Sequence, residues 1–183
     1  MTRVHLIDPA AADGSAGEQL AATKQVMGAI PNTAKAPANS PAVLKGFLGM
    51  HGALKGGVLP AALRERIALA VSEINRCTYC LSAHTYVSRI MKLSEEEIHA
   101  ARLGHSADPK AAAVLRLAVA ITLNRGRVDD DRFAAARDAG LTDEEIVETI
   151  ANVAHNIFAN YANEALGVEL ELPVVPPFDH ASA

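Results

Sequence analysis

The sequence predicts an all-α fold, and three observations support this prediction. Half of the 183 residues are apolar, yet aromatic residues make up only 4% and tryptophan is absent, so the core must consist mainly of Ala, Leu, Ile and Val. An Ala- and Leu-rich composition with few β-branched runs favours helices. Helix start and stop signals recur along the chain, whereas the alternating patterns typical of strands are almost absent.

Capping residues, prolines and glycines mark the helix boundaries. Ser94 and Thr142 are each followed three residues later by Glu, the capping-box pattern in which hydroxyl and carboxylate satisfy free backbone N–H groups. Ser40 and Asp108 each precede a proline that suits the first helical position. These signals predict helices over residues 15–29, 41–54, 60–75, 77–91, 94–103, 109–125, 129–139 and 142–166.

The remaining segments predict connectors within one helical domain over residues 1–183. Prolines make 31–41 a connector and 172–183 an extended tail, since neither can continue a helix. Residues 93–98 read Leu-Ser-Glu-Glu-Glu-Ile and residues 141–146 read Leu-Thr-Asp-Glu-Glu-Ile. This similarity at a fixed offset raises the hypothesis of two related helical units, with chance as the alternative in an Ala- and Leu-rich chain.

Charge and hydropathy exclude several classes of partner. The net charge is −4 and the basic residues are dispersed, so no basic stripe is available for nucleic acid or an anionic membrane. The first residues lack the apolar region of a secretory signal. The longest apolar stretch, Ala111 to Leu123, is interrupted by Arg116 and is too short to span a bilayer. We therefore expect a cytoplasmic protein with no membrane partner.

The two cysteines, Cys77 and Cys80, carry the strongest chemical signal. Adjacent cysteines in a reducing compartment indicate a catalytic, redox or metal-binding pair. If Cys77 begins a helix, Cys80 lies about 60° and His84 about 20° from it around the axis. The helix N-terminus favours a thiolate, the spacing allows a disulfide, and His84 can accept a proton from Cys80. The spacing leaves open which sulfur is the nucleophile.

Other interpretations of the pair are a zinc site, a redox-sensing module, a thiol-disulfide oxidoreductase and two inert core thiols. Zinc would use Cys77, Cys80 and His84, but a structural site commonly needs a fourth ligand. Three histidines are available as a fourth ligand, and none has recognisable ligand spacing: His51, His99 and His105.

The sequence supports less specific predictions about the environments of four other side chains. His155 lies on or beside an apolar helix face, so we expect a packed, hydrogen-bonded side chain. Tyr86 and Tyr161 are expected to be packing or pocket-lining residues rather than reactive ones. Glu73, one turn before the first cysteine, is expected to be a solvated helix charge rather than an acid that supports the thiols.

The spacing of Glu65, Cys77-x-x-Cys80 and His84 resembles the signature of the alkylhydroperoxidase D branch of the carboxymuconolactone decarboxylase superfamily. The resemblance is densest over residues 41–103, and the rest is similar to the peroxidase-related enzymes of that branch. It implies a multihelical bundle of the alkylhydroperoxidase D-like type that forms a homo-oligomer. Decarboxylase members lack the cysteine pair, so decarboxylation is disfavoured.

The resemblance also implies residue roles in an antioxidant thiol peroxidase cycle. Cys80 would attack the hydroperoxide, Cys77 would resolve the sulfenic acid as a disulfide, and Glu65 and His84 would relay protons through water. The helix pattern places Glu65 on the preceding helix. The reductant would be an external dithiol, either a lipoyl group on a carrier protein or a thioredoxin-like protein. We expect no metal, flavin or haem cofactor.

The chain departs from the family pattern at Tyr79, where the resembled proteins most often carry histidine before the second cysteine. A phenol can donate a hydrogen bond to a thiolate or a peroxide oxygen. It cannot serve as a base near neutral pH. We therefore expect the proton relay of this chain to contain one base fewer than that of the resembled proteins.

Overall fold

A computed structural model describes residues 1–179 and is all-helical over that range. The helices are α1 (Gly14–Met27), α2 (Asn32–Lys35), α3 (Pro41–Lys55), α4 (Ala61–Ile74), α5 (Thr78–Ile90), α6 (Glu95–Arg102), α7 (Pro109–Leu123), α8 (Asp130–Asp138) and α9 (Asp143–Leu166). The all-α prediction is confirmed, and each of the eight predicted helices ends within two residues of its predicted bounds. Among the described residues, no helix is both long and apolar enough to cross a membrane.

The predicted connector over residues 31–41 is wrong in part, because it contains the short helix α2 and a 3-10 turn at Pro37–Asn39. The prolines start these turns instead of preventing them. The carbonyl of Pro31 accepts the N–H groups of Ala34 and Lys35 at 2.9 and 3.1 Å, and Pro37 occupies the first position of the 3-10 turn. A proline at a helix start loses no hydrogen bond, since its missing N–H would be free there.

Helix α4 lies at the centre of the molecule and packs against α5, α6, α7 and α9. Residues 67–72, Ile-Ala-Leu-Ala-Val-Ser, are all buried, as expected of a helix surrounded by other helices. The main core cluster joins α4 to α7 through Ile67, Val71, Val114 and Leu117. The helix that carries Glu65 is therefore held from several sides.

The two predicted related units share the same local structure at the turn that precedes their capping boxes. Lys92 and Gly140 both adopt the left-handed conformation, with φ of 64° and 86°. Ser94 and Thr142, each two residues later, both form complete capping boxes with the following Glu. The repeated sequence therefore encodes a repeated turn between helices.

Residues 168–179, which we call the strap, follow α9 without helix or strand and cross the ends of α4 and α5. The N–H of Val175 donates to Ser82 Oγ at 2.9 Å, and the N–H of Phe178 donates to Glu73 Oε1 at 2.7 Å. The predicted extended tail of 172–183 is thus non-helical as far as 179, and residues 180–183 lie outside the described part.

Candidate active site

The two thiols lie at the turn that joins α4 to α5. Arg76 adopts the left-handed conformation, with φ of 54°, which costs a non-glycine residue about 1–3 kcal/mol. The N–H of Cys77 closes α4 by donating to the carbonyl of Ser72 at 3.0 Å. Cys77 is also the N-cap of α5, and its sulfur accepts the N–H of Cys80 at 3.3 Å. Cys77 thus precedes α5, and Cys80 lies in its first turn.

The two sulfur atoms are 2.8 Å apart, and both thiols are free. The Cys77 thiol donates a hydrogen bond to Cys80 Sγ. This bond and burial raise the pKa of Cys77 well above its ordinary value. The same bond lowers the pKa of Cys80 to about 7 against the opposing effect of burial, with help from Asn163 and from the charge of His84. The environment therefore distinguishes Cys80 as the thiol that ionises first.

His84 and Glu65 form a pair between α5 and α4. His84 Nδ1 lies 2.8 Å from Glu65 Oε2, and their side chains are 26% and 20% exposed. Burial alone would lower the pKa of His84, but the adjacent carboxylate raises it above its ordinary value. Within residues 1–179 no direct hydrogen bond joins His84 to Cys80, so the two interact electrostatically. A proton passing between them requires an intervening molecule.

Asparagines on α9, which were not predicted from the sequence, contact the thiol site. Asn163 Nδ2 donates to Cys80 Sγ at 3.2 Å, and Thr33 Oγ1 donates to Asn163 Oδ1 at 2.8 Å. Asn160 donates to Ser72 Oγ at 3.2 Å and also helps to lower the pKa of Cys80. An available signal was the recurrence of asparagine on one face of this helix at helical spacing.

Both thiols are buried, with exposed fractions of 0% for Cys77 and 3% for Cys80. They form an apolar cluster with Val168 of the strap and with Val4 and Leu6 of the N-terminal segment. The Glu65–His84 pair is the solvent-exposed side of the site.

A family model and a curated relative match parts of this chain. Residues 41–122 match the carboxymuconolactone decarboxylase family. This match covers a little under half of the chain and supports the resemblance to the carboxymuconolactone decarboxylase superfamily. YdfG, an uncharacterized protein of Bacillus subtilis (strain 168), is 29% identical over 103 residues, which cover 54% of this chain and 70% of YdfG.

Solved structures share the fold over most of the chain. A peroxidase-related protein of Ralstonia eutropha JMP134 with an alkylhydroperoxidase AhpD core is 25% identical, with a TM-score of 0.80 over 93% of this chain and 92% of that one. The debrominase Bmp8 is 21% identical, with a TM-score of 0.72 over 85% of this chain and 86% of that one. The fold is therefore alkylhydroperoxidase D-like.

Tyr79, the departure from the family pattern, makes its hydrogen bonds to Glu171 and Thr33 among the described residues and not to a thiol. Its hydroxyl donates to Glu171 Oε1 of the strap at 2.9 Å and accepts the N–H of Thr33 at 3.1 Å. Burial raises the pKa of Tyr79, so the phenol stays protonated. The residue between the cysteines therefore anchors the strap.

The prediction that Glu73 is a solvated helix charge is wrong. The Glu73 side chain is 12% exposed and pairs with Arg102 at 2.7 Å, because the strap covers it. Tyr86 and Tyr161 are 49% and 61% exposed, since they lie on the outer faces of α5 and α9. Through its pair with Arg102 and the N–H of Phe178, Glu73 holds the strap against α4.

His155 is packed as predicted, against the ring of Phe47 at 4.4 Å between centroids. Its Nε2 lies 3.4 Å from His51 Nδ1, whereas its buried Nδ1 has no hydrogen-bond partner among the described residues. Burial lowers the pKa of His155 to about 4 and also lowers that of His51, which lies within electrostatic range of Glu65 and His84. Both histidines are therefore neutral at pH 7.

The zinc interpretation finds no ligand set in the described part of the chain. Within residues 1–179, no three His, Cys, Asp or Glu side chains are placed to hold one metal ion. Cys77 donates to Cys80, and His84 is bound to Glu65. These side chains are arranged for thiol chemistry with a carboxylate-supported imidazole.

Proposed function

We propose that this protein is a thiol peroxidase that reduces organic hydroperoxides through a Cys77–Cys80 disulfide cycle. The observation that carries the proposal is the unequal thiol pair: a free Cys80 with a lowered pKa, 2.8 Å from a second free thiol. The adjacent Glu65–His84 pair supplies a site for the displaced proton. Ionisation by a neighbouring base is the usual way to activate a nucleophilic cysteine.

In the oxidative half of the cycle, Cys80 gives its proton to His84 through an intervening water and attacks the terminal peroxide oxygen. A sulfur–oxygen bond forms and the oxygen–oxygen bond breaks, so that the sulfur is oxidised and the peroxide is reduced. The alkoxide takes the proton from His84 and leaves as an alcohol. Glu65 supports the imidazolium while it holds this proton, and Cys80 is left as a sulfenic acid.

Resolution needs only the second thiol. Cys77 attacks the Cys80 sulfur and displaces hydroxide, which takes the Cys77 proton and leaves as water. An external dithiol then reduces the disulfide, becoming a disulfide itself and returning two protons to the enzyme. A dihydrolipoyl group on a carrier protein and a thioredoxin-like protein are the two reductants that we propose.

The decisive experiment is stopped-flow peroxide reduction by the pre-reduced protein, with thiols counted before and after. We expect two thiols lost per hydroperoxide consumed, no consumption by Cys80→Ser, and a single turnover ending in sulfenic acid for Cys77→Ser. The surface variant His105→Ala is the matched control. Full activity of Cys80→Ser would refute the proposal.

The same assay separates two other functions that the dithiol could serve. A thiol-disulfide oxidoreductase would exchange with a disulfide probe but leave cumene hydroperoxide untouched. A redox sensor would form the disulfide with peroxide yet fail to turn over with dihydrolipoamide or with reduced thioredoxin. Steady peroxide turnover with either dithiol would therefore identify the protein as a peroxidase and not as one of these two alternatives.

A further inference from the structure

Cys77 is fully covered by the described part of the chain, with an exposed fraction of 0%. Val168 at the start of the strap belongs to the apolar cluster that contains both cysteines, and Val4 and Leu6 of the N-terminal segment pack against it. A reagent therefore reaches the Cys77 sulfur only if part of this cover moves. The cover bears on the second half of the proposed cycle, in which an external dithiol must reach the disulfide.

The leaving-group chemistry of the pair indicates which sulfur that dithiol attacks. In thiol–disulfide exchange a thiolate bonds to one sulfur, and the other leaves as a thiolate, faster when its pKa is lower. Besides the Cys77 thiol, the Asn163 amide and the charge of His84 lower the pKa of Cys80, and neither depends on a free Cys77. Besides the bond to Cys80, burial raises the pKa of Cys77. Departure of Cys80, and hence attack at the covered Cys77, is therefore favoured.

The two parts of the cover are held in different ways. The N-terminal segment is fixed through its backbone: the N–H of Arg3 donates to the carbonyl of Leu166 at 2.7 Å. The N–H of Ile7 donates to the carbonyl of Lys35 at 3.3 Å. Residues 169–179 of the strap make no backbone–backbone hydrogen bond to the rest of the described chain, and none of them is buried. A segment with so few buried contacts opens at a low cost in free energy, so the strap is the part of the cover that lifts.

The carboxylate of Glu171 anchors the strap close to the thiols. It accepts the hydroxyl of Tyr79 at 2.9 Å and the N–H of Asn32 at 2.9 Å. Tyr79 lies between the two cysteines in the sequence, so its hydrogen bond, which we call the latch, ties the strap to the turn that carries the dithiol. Hydrogen bonds to a charged group are roughly twice as strong as neutral ones. The latch is therefore a contact that opening of the strap must break.

The far end of the strap is anchored separately, on α4 and α6. The N–H of Phe178 donates to Glu73 Oε1 at 2.7 Å. The Arg102 guanidinium lies 3.6 Å from the centre of the Phe178 ring and pairs with Glu73 at 2.7 Å. The end of the strap that packs at the cysteines can therefore lift while the far end stays in place.

We propose that the external dithiol attacks the sulfur of Cys77, and that the strap first lifts at the Tyr79–Glu171 latch to admit it. A thiolate of the dithiol bonds to Cys77 Sγ, the Cys77–Cys80 bond breaks, and Cys80 leaves as a thiolate. The second thiolate of the reductant attacks the reductant's own sulfur in the mixed disulfide and releases Cys77. The reductant departs as a disulfide, and its two protons are taken up by Cys77 and Cys80. The inference rests on the proposed function for its place in a catalytic cycle.

The test begins with protein oxidised by diamide, which forms the disulfide without peroxide, and follows its reduction by dithiothreitol and by dihydrolipoamide. Glu171→Ala removes the latch and leaves every residue of the thiol turn in place. We expect its disulfide to be reduced at least about tenfold faster, because opening no longer breaks a hydrogen bond to a charged group. Glu171→Gln keeps the shape but not the charge, and should give a smaller acceleration.

The matched control is Glu169→Ala, which removes another acidic side chain of the strap. The Glu169 side chain is 56% exposed, and its carboxylate lies 3.6 Å from the terminal amine. This variant loses the same charge and keeps the latch. Its disulfide should be reduced at the rate of the unmodified protein.

The attacked sulfur is identified with a monothiol. Oxidised protein is mixed briefly with glutathione, free thiols are blocked at once with iodoacetamide, and the tryptic peptide of residues 77–89 is fragmented in a mass spectrometer. We expect glutathione on Cys77 and the alkyl group on Cys80. Glutathione mainly on Cys80 would overturn the inference.

Two measurements on the reduced Glu171→Ala variant separate a lifted strap from a damaged fold. Its circular dichroism and the pH midpoint of Cys80 alkylation should match those of the unmodified protein. A shifted midpoint would assign the faster reduction to a disturbed thiol site and overturn the inference, as would equal reduction rates in Glu171→Ala and Glu169→Ala. Faster reduction of Glu171→Ala in a protein inert to peroxide would refute the peroxidase proposal alone. An active peroxidase with equal reduction rates would refute this inference alone.

Discussion

The carboxylate of Glu65 and the imidazole of His84 are joined at 2.8 Å across two packed helices, α4 and α5. Because Glu65 Oε2 contacts His84 Nδ1, the imidazole ring is held in one orientation. The carboxylate also stabilises the charged imidazole, which raises the pKa of His84. The charge of His84 in turn helps to lower the pKa of Cys80 to about 7.

Glu65→Gln and His84→Gln should both raise the pKa of Cys80. At pH 7 a thiol with a pKa of about 7 is half ionised, and a rise of about one unit leaves roughly a tenth as thiolate. Alkylation by iodoacetamide at pH 7 should therefore slow about fivefold. At a pH above the Cys80 pKa of both the unmodified protein and the variant, their alkylation rates should converge. The control His105→Ala should match the unmodified protein at every pH. An unchanged pH profile in His84→Gln would remove this residue from the relay.

Asn163→Ala should also raise the pKa of Cys80, because the variant loses the amide that donates to Sγ at 3.2 Å. Asn163→Asp should raise it further, since a carboxylate beside the sulfur repels a thiolate. The control is Asn152→Ala, which removes a buried amide of the same helix face that donates to the Glu148 carbonyl. If the alkylation profiles of Asn152→Ala and Asn163→Ala coincide, the Asn163 contact has no special effect on the thiol.

Tyr79→Phe should destabilise the protein while leaving the alkylation profile of Cys80 nearly unchanged. The variant removes the partner of the partly buried Thr33 N–H and one anchor of Glu171, which costs about 1 kcal/mol. Urea denaturation measures the loss. Tyr86→Phe, at a position 49% exposed, should change the free energy of unfolding little. A large rise in the Cys80 pKa in Tyr79→Phe would instead return this residue to the relay.

Stability should fall as the pH drops from 6.5 towards 4, because His155 takes up a proton in the unfolded chain but not in the folded one. Its pKa falls from 6.5 to about 4 on folding, which corresponds to a loss of about 3 kcal/mol below pH 4. His155→Phe keeps a ring against Phe47 and should flatten this dependence. The measurement is the slope of the unfolding free energy against pH in the unmodified protein and in His155→Phe. Equal slopes in the two proteins would contradict the prediction.

Much of the fold was predictable because its signals are local. The capping boxes at Ser94 and Thr142 form as the sequence indicates, since each depends on residues three apart. The approach of Cys77 to Cys80 is local in the same way, because an N-cap side chain faces the N–H of the third residue of its helix. The turns at Pro31 and Pro37 were missed because a proline signals a helix start as well as an interruption.

The rest of the site depends on contacts that no local pattern encodes. Glu73 resembles a solvated charge in sequence, and only the strap, over a hundred residues later, makes it a buried anchor. The role of Tyr79 is set by Glu171, 92 residues away. Asn160 and Asn163 occupy a face that would ordinarily be exposed, because the apolar face of α9 points outward. Tertiary packing decides these positions.

The distance along the chain between Cys80 and Asn163, 83 residues, also has a consequence for synthesis. The cysteine pair leaves the ribosome several seconds before α9, at about 5–20 residues per second. Until α9 docks, the Cys80 sulfur lacks the amide that helps to stabilise its thiolate, and the strap does not yet cover it. The nascent pair therefore behaves as an ordinary exposed dithiol, and its unequal reactivity is acquired only when folding completes the site.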